Sequence, residues 1–297
     1  MKLVVDSGST KTDWAFATSL KDVFRIHTGG INPIVQDEIE VMHVISDQLL
    51  RKMELENICP ESVTSVYFYG AGCVEDKKAV VETAIMKNFN AVNDINIESD
   101  LLASARALCG RSKGIACILG TGANSCLYDG YEIIAHTPAL GYILGDEGSG
   151  AALGKDFLNG ILKGWLPTWL RDEFVDEFHL TVSDIIDSVY NKPMPNQFLA
   201  SLSKFIKCKM RKCDELEKMV VANFCDFIYK NIVPYRRYVE EHVNTWCDVS
   251  CKINAVGSVA YYYKEQLEIA ASRYGMGIGS VVKSPMDNLL AFHCSNL

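Results

Sequence analysis

The chain has 297 residues, 48% of them hydrophobic and 22% charged, which suits a globular protein of two domains rather than a disordered or fibrous one. Its formal net charge of -8 argues against nucleic acid as a main partner, because phosphate backbones recruit basic faces; a nucleotide can still be held by backbone N–H groups and a metal. No apolar run reaches the roughly 18 residues of a membrane span, and no charged start leads into a cleavable signal, so the cytoplasm is the expected compartment.

Strand and helix signals alternate over the first third. Residues 2–6 and 12–18 read as strands flanking the turn of "DSGSTKT", and Val23–His27 reads as a third before the chain breaks at "TGGINP". Ile39, Met42, Ile45, Leu49 and Met53 carry the spacing of a helix over 36–55. "VTSVYFYGAG" reads as a buried strand delivering a glycine loop at its carboxyl end, and "KKAVVETAIMKNF" as a helix. "INIESD" is a short strand, and "LLASARALCG" a helix closed by Gly110. This is an α/β layout with a mixed sheet.

From residue 113 the plan starts again. "GIACILGTGANSCLYDGYEIIAH" reads as strand, glycine turn, strand, a turn at Asp129–Gly130, and strand. Beside the opening it forms an internal repeat, which predicts two domains of similar topology. Residues 150 to 250 read as mostly helical, with apolar stripes at Leu158, Ile161 and Leu162 and at Met219, Val220, Phe224, Phe227 and Ile228. Pro234 marks a break or kink. "KINAVGSVA" returns to strand, glycine and helix, and "KEQLEIAASRYG" is a helix ending in glycine. "YGMGIGS" reads as chain punctuation, and Pro285 opens a short terminal helix. The 11 cysteines include no C-x-x-C; Cys208/Cys213 and Cys247/Cys251 are the closest pairs, Cys117 and Cys126 look like core residues, and thiols of a reducing compartment are expected.

The opening turn has no G-x-x-x-x-G-K-[ST], so it is not a P-loop. It is either an ordinary polar hairpin with Asp6 at a strand end, or an anion cradle. In the cradle, inward N–H groups hold phosphate, Gly8 admits the ligand, and Ser9, Thr10 and Thr12 add hydroxyl donors. Asp6 would then meet Mg²⁺ through water. "LGTGAN" (119–124) is a second glycine hairpin; a strand follows it, which a Rossmann fingerprint would not allow. Asp146 and Glu147 precede a helix, either as acceptors for sugar hydroxyls or as acids at the favourable end of its dipole. Asp100 is either an N-cap or a general base at the rim of an α/β sheet. Asn32 can donate to and accept from a polar ligand, or is a turn asparagine. Gly257 lets a flat ring lie on bare backbone, or lets a helix pack closely. The histidines form no HxxxH cluster and no G-x-S-x-G is present, so hydrolase triads and zinc catalysis lack support.

Taken in order, D-S-G-S-T-K-T-D, G-x-N-P, E-S-D, L-G-T-G-A-N, G-D-E-G-S-G and A-V-G-S-V resemble the BadF/BadG/BcrA/BcrD-type ATPase family, in its N-acetylglucosamine kinase branch. That family belongs to the actin/hexokinase/Hsp70 superfamily. The resemblance implies an α/β fold of two ribonuclease H-like domains, 1–110 and 111–284, with ATP in the cleft between them. A helical insertion would span 155–250, and helix 285–297 would pack back on the first domain. It implies Mg²⁺ at Asp6 and ATP phosphates on Gly8, Ser9, Thr10, Lys11 and Thr12 and on Gly120, Thr121 and Gly122, with Gly257 near adenosine. Asn32, Asp100, Asn124 and Asp146 would bind a small-molecule sugar, Asp100 as general base. Ala123 and Leu140 stand where the vertebrate sugar kinase has serine and tryptophan. The implied reaction is phosphoryl transfer from ATP to an amino-sugar hydroxyl, on N-acetylglucosamine or a close relative such as N-acetylmuramic acid, with a homodimer the simplest oligomer. The alternatives are an ATP-driven activator of a radical dehydratase, with an iron–sulfur cluster held by cysteines, and a nucleotide-dependent sugar sensor.

Overall fold

A computed structural model describes residues 1–8, 10–242 and 252–294; Ser9, Cys247 and Cys251 lie outside the described residues. The chain divides into two compact units, Met1–Arg111 with Ser284–Leu297, and Ser112–Lys283.

In the first unit, β1 (Lys2–Ser7), β2 (Lys11–Ser19) and β3 (Asp22–Gly29) form an antiparallel meander. Next come α1 (Glu38–His43), a π turn over Val44–Leu50 and α2 (Arg51–Leu55). β4 (Ser65–Gly70), α3 (Lys78–Asn88), β5 (Asp94–Ser99) and α4 (Asp100–Cys109) complete the run. β4 and β5 lie parallel to β1, giving the order β3-β2-β1-β4-β5. Strand alternation splits the apolar residues between two faces: Leu3, Val5, Trp14 and Phe16 enter one core, Val4, Ala15, Ala17 and Tyr69 another. The helix expected over 36–55 is one continuous rod only in outline. A capping box between Asp37 and Glu40 starts it later, the π turn rotates its face, and Ile39 is left 77% exposed while Ile45, Leu49 and Met53 are buried.

The second unit repeats the sheet. β6 (Gly114–Leu119), β7 (Ala123–Tyr128), β8 (Ile133–His136), β9 (Lys252–Val256) and β10 (Gly277–Val282) adopt the order β10-β9-β6-β7-β8, the same path through the sheet as in the first unit. Between β8 and β9 lie α5 (Gly141–Leu144), α6 (Gly150–Lys163), α7 (Thr168–Phe178), α8 (Val182–Tyr190), α9 (Pro195–Ser201), α10 (Ser203–Met210), α11 (Asp214–Phe227) and α12 (Val233–His242). α13 (Ser258–Tyr262) and α14 (Lys264–Arg273) connect β9 to β10. Met219, Val220, Phe224, Phe227 and Ile228 are buried as expected, as are Cys117 and Cys126; Leu158 and Ile161 are buried, but Leu162 sits at the edge of its stripe, 37% exposed. A π turn over Ile228–Ile232 runs directly into α12, whose second residue is Pro234, so the helical assignment continues through the proline where a break or kink was expected.

Tyr274–Met276 are the expected punctuation after α14, but Gly277–Ser280 of the same stretch instead open β10, paired in parallel with β9. Its glycines conceal it. A Cβ on Gly279 would stand 2.3 Å from Asn254 Oδ1, which accepts the Ser280 N–H at 2.9 Å, and the register shifts between Ile278 and Val281. The missing side chain makes room for a cross-strand amide.

The last helix, α15 (Met286–Cys294), belongs to the first unit, where Met286, Leu289, Leu290 and Cys294 cover Val4, Ala15, Ala17, Ala103 and Ala107. His293 locks it: its ring stacks on Tyr67 at 3.9 Å and its Nε2 lies 2.7 Å from the Tyr69 hydroxyl, which also accepts from Arg106 at 2.8 Å. Burial, then the charges of Arg106 and Lys2, push the His293 pKa down to about 3. No helix among the described residues is long and apolar enough to cross a membrane.

Candidate active site

Parallel pairing fixes where the first unit gathers its polar residues. Ser7, Gly70 and Ser99 end β1, β4 and β5 in register, so Gly8, Ala71–Gly72 and Asp100 leave the sheet along one rim. The carboxyl rim of the parallel strands in such sheets is where ligands bind. Gly8, Thr10 and Lys11 are exposed at the tip of the β1–β2 hairpin, closed by Gly8 N–H to Lys11 O at 3.0 Å. Thr12 is set apart from them. It is fully buried, its hydroxyl donates to Gly29 O at 3.0 Å and lies 2.7 Å from the Ser7 hydroxyl, and Ser7 in turn holds Ile31 through both N–H and C=O. That hydroxyl ties the hairpin to the 29–31 segment and is not at the tip.

Asp6 stands directly across from Asp13, so the two carboxylates share a face. Burial first, then the charges of Asp100 and Asp13, push the Asp6 pKa up to about 7, against the pull of Lys11. Asp13 was given no role by the sequence reading beyond its place in the opening motif. It is 7% exposed, its Oδ1 makes no hydrogen bond, and His27 Nδ1 stands 3.4 Å away. Asp100 is the first residue of α4; the cap is Ser99, whose Oγ accepts the Leu102 N–H at 3.2 Å. Freed from capping, the Asp100 carboxyl has its pKa raised by burial, partly offset by the N–H groups of Leu101 and its own residue. Among the described residues no three His, Cys, Asp or Glu side chains converge closely enough to coordinate a metal directly.

Asn32 is gripped by its own loop: its C=O accepts from Val35 and Gln36, its N–H reaches Gln36 Oε1 at 2.7 Å, and its Oδ1 accepts the Ile34 N–H at 3.1 Å. The amide lies against Gly72, which the sequence reading also missed. Gly72 has φ +78°, and a Cβ there would stand 2.1 Å from Asn32 Oδ1. Only glycine meets both demands.

The second unit builds a matching rim. Gly120, Thr121 and Gly122 close the β6–β7 hairpin, with Gly120 N–H donating to Gly122 O at 3.0 Å. The first N–H groups of α6 dock on this turn, Gly150 to Gly120 O at 2.8 Å and Ala151 to Thr121 O at 3.1 Å. Asp146, in the left-handed region at φ +58°, accepts the Ala123 N–H at 3.1 Å, and a Cβ on Gly122 would stand 3.0 Å from its carboxylate. Asp146 therefore sits against the glycine turn; burial raises its pKa, and the Ala123 N–H opposes this. Asn124 follows on β7, its Oδ1 taken by Ser125 N–H and His136 Nε2, both at 2.9 Å. Gly257 has φ +123°, and a Cβ would stand 2.3 Å from Leu119 O, so β9 abuts the same turn. A cavity of about 300 Å³ begins at the next residue, bounded by Ser258, Tyr262 and Tyr263 and by Lys204 and Lys207 of α10.

No family model matches the chain. It is 42% identical to a proposed N-acetylglucosamine kinase of Porphyromonas gingivalis, whose crystal structure superposes with a TM-score of 0.91 over 100% of this chain and 99% of that one. It is 23% identical over 231 residues to the N-acetylmuramic acid/N-acetylglucosamine kinase of Clostridium acetobutylicum, 74% of this chain and 75% of that protein. A ROK-family glucokinase of Streptomyces griseus, solved with glucose and AMPPNP, shares the fold at 14% identity and a TM-score of 0.54, over 98% and 97% of the two chains.

Proposed function

We propose that this chain, which belongs to the N-acetylglucosamine kinase-like family of the actin/hexokinase/Hsp70 superfamily, transfers the γ-phosphoryl group of ATP to a hydroxyl of an amino sugar, N-acetylglucosamine or a close relative such as N-acetylmuramic acid. The observation that carries this is Asp100: an uncapped carboxylate at a sheet rim, beside Asp6, with its pKa raised. A raised pKa strengthens a carboxylate as a proton acceptor. In this reading Asp100 takes the proton of the sugar hydroxyl, and Asn32, Asn124 and Asp146 orient the ring. The exposed Gly8, Thr10 and Lys11 at the first hairpin and the Gly120–Gly122 turn of the second serve the phosphates through N–H groups. Adenosine lies by Gly257, at the cavity that starts with Ser258.

The residues fit Mg²⁺. Asp6 carries a charge that its surroundings disfavour, and Asp13 Oδ1 is buried without a hydrogen bond, so this corner holds more negative charge than it neutralises. The donors are all oxygen, and with no three side chains converging they would reach the ion through water, as magnesium prefers. When bound, the ion neutralises charge developing on the transferred phosphoryl group.

The test is ADP release with Mg·ATP across N-acetylglucosamine, N-acetylmuramic acid, glucosamine and glucose. Turnover on one amino sugar supports the reading. Silence on all four from folded, ATP-binding protein overturns it.

A further inference from the structure

His136 ends β8, where Cys126 of β7 stands opposite it; Asn124, two residues back on β7, points to the same face. Its Nε2 lies 2.9 Å from Asn124 Oδ1, and the Ser125 N–H reaches that oxygen at the same 2.9 Å. A carboxamide oxygen only accepts, so the proton of this hydrogen bond is on Nε2. Partial burial lowers the His136 pKa, which favours the neutral ring at neutral pH. Two donors converging on Oδ1 leave the amide one orientation, since rotating it by half a turn would set its NH₂ against both. The Nδ2 end, which has no partner among the described residues, is what remains for a ligand.

We propose that His136 is a positioning residue that locks Asn124 as a hydrogen-bond donor to an oxygen of the sugar. This rests on the sugar kinase reading and adds the polarity of one contact. Nothing local in the chain signals it: His136 reads only as the end of a strand, and its partner lies across a turn.

The test is steady-state kinetics with N-acetylglucosamine at saturating Mg·ATP, on His136→Gln, His136→Ala and His136→Glu, each alone and with Asn124→Ala, with thermal melting to confirm folding. Glutamine keeps a donor, so His136→Gln stays close to wild type. His136→Ala releases one hydrogen bond and raises KM by about 2- to 10-fold. His136→Glu presents an acceptor, turns the amide round and raises KM further, with kcat changing less. In the Asn124→Ala background the three become indistinguishable. A purely structural role for His136 has no reason to separate glutamine from glutamate. Equal KM values across the three variants overturn the proposal, as do differences that persist without Asn124. If the wild type is active and Asn124→Ala keeps its KM, this inference falls alone; if the wild type turns over no sugar, the kinase reading falls with it.

Discussion

The two glycine hairpins follow one backbone plan and carry opposite electrostatics. At the β1–β2 hairpin, Asp6, Asp13 and the nearby Asp100 repel one another, and one carboxylate oxygen has no hydrogen bond. At the β6–β7 hairpin, Asp146 is tied to the Ala123 N–H, and the first N–H groups of α6 are consumed by the turn's own carbonyls. A repeated fold thus supplies two similar turns, and the side chains around each decide what it can hold. The first stores uncompensated negative charge, which suits a phosphate arriving with a cation. The second is a closed, braced frame.

The sharpest break comes from removing the base at the charged rim. Asp100→Asn keeps the size of the side chain and should cut sugar-dependent kcat by about 10²- to 10⁴-fold, with nucleotide affinity in equilibrium binding little changed. An unchanged kcat would remove Asp100 from its role. At the braced rim the largest effect should be on stability. Gly257→Ala forces a side chain into φ +123° and against Leu119 O. Urea denaturation should show a loss of about 1–3 kcal/mol or more. Asp146→Ala should cost about 1–3 kcal/mol by leaving the buried Ala123 N–H without its acceptor, whereas Asp146→Asn, which keeps an acceptor oxygen, should cost less. If Asp146→Ala melts like wild type, the second hairpin is not braced as described.

A last contrast separates the hairpins by pH. Asp6 ionises at about 7 in the fold and near the ordinary carboxylate value of 3.8 in the unfolded chain. Below 3.8 the group is neutral in both states and costs nothing. As pH rises from there to about 7 the unfolded chain ionises first, so the cation-free protein should lose stability over that window and level off above it. Asp6→Asn should flatten that slope in melting curves. A slope that survives the substitution must come from other groups.

Much of this was legible in the sequence where the signal is local. The strand–turn–strand openings, the burial of Cys117 and Cys126, and Asp100 at a strand end all follow from alternation and turn residues close together in the chain. What could not be read is long-range. Gly72 looks like an ordinary loop glycine until Asn32, far upstream, is laid against it. Gly279 looks like a breaker until Asn254 fills the space of its side chain. Ser99 and Asp100 are both good caps by residue type, and only the backbone at the start of α4 decides between them. Asp13 and Asp6 sit in one motif, yet their opposition depends on strand register.

The placement of α15 governs how the protein can be made. The apolar face formed by Val4, Ala15, Ala17 and Tyr69 belongs to the earliest part of the chain, and its cover is residues 286–294, the latest of those described. During synthesis the whole second unit must emerge before that face can be closed. A nascent chain can therefore fold its middle while its early strands still wait for a lid. A fragment ending at Arg111 would keep only Ala103 and Ala107 of α4 against that face and should aggregate.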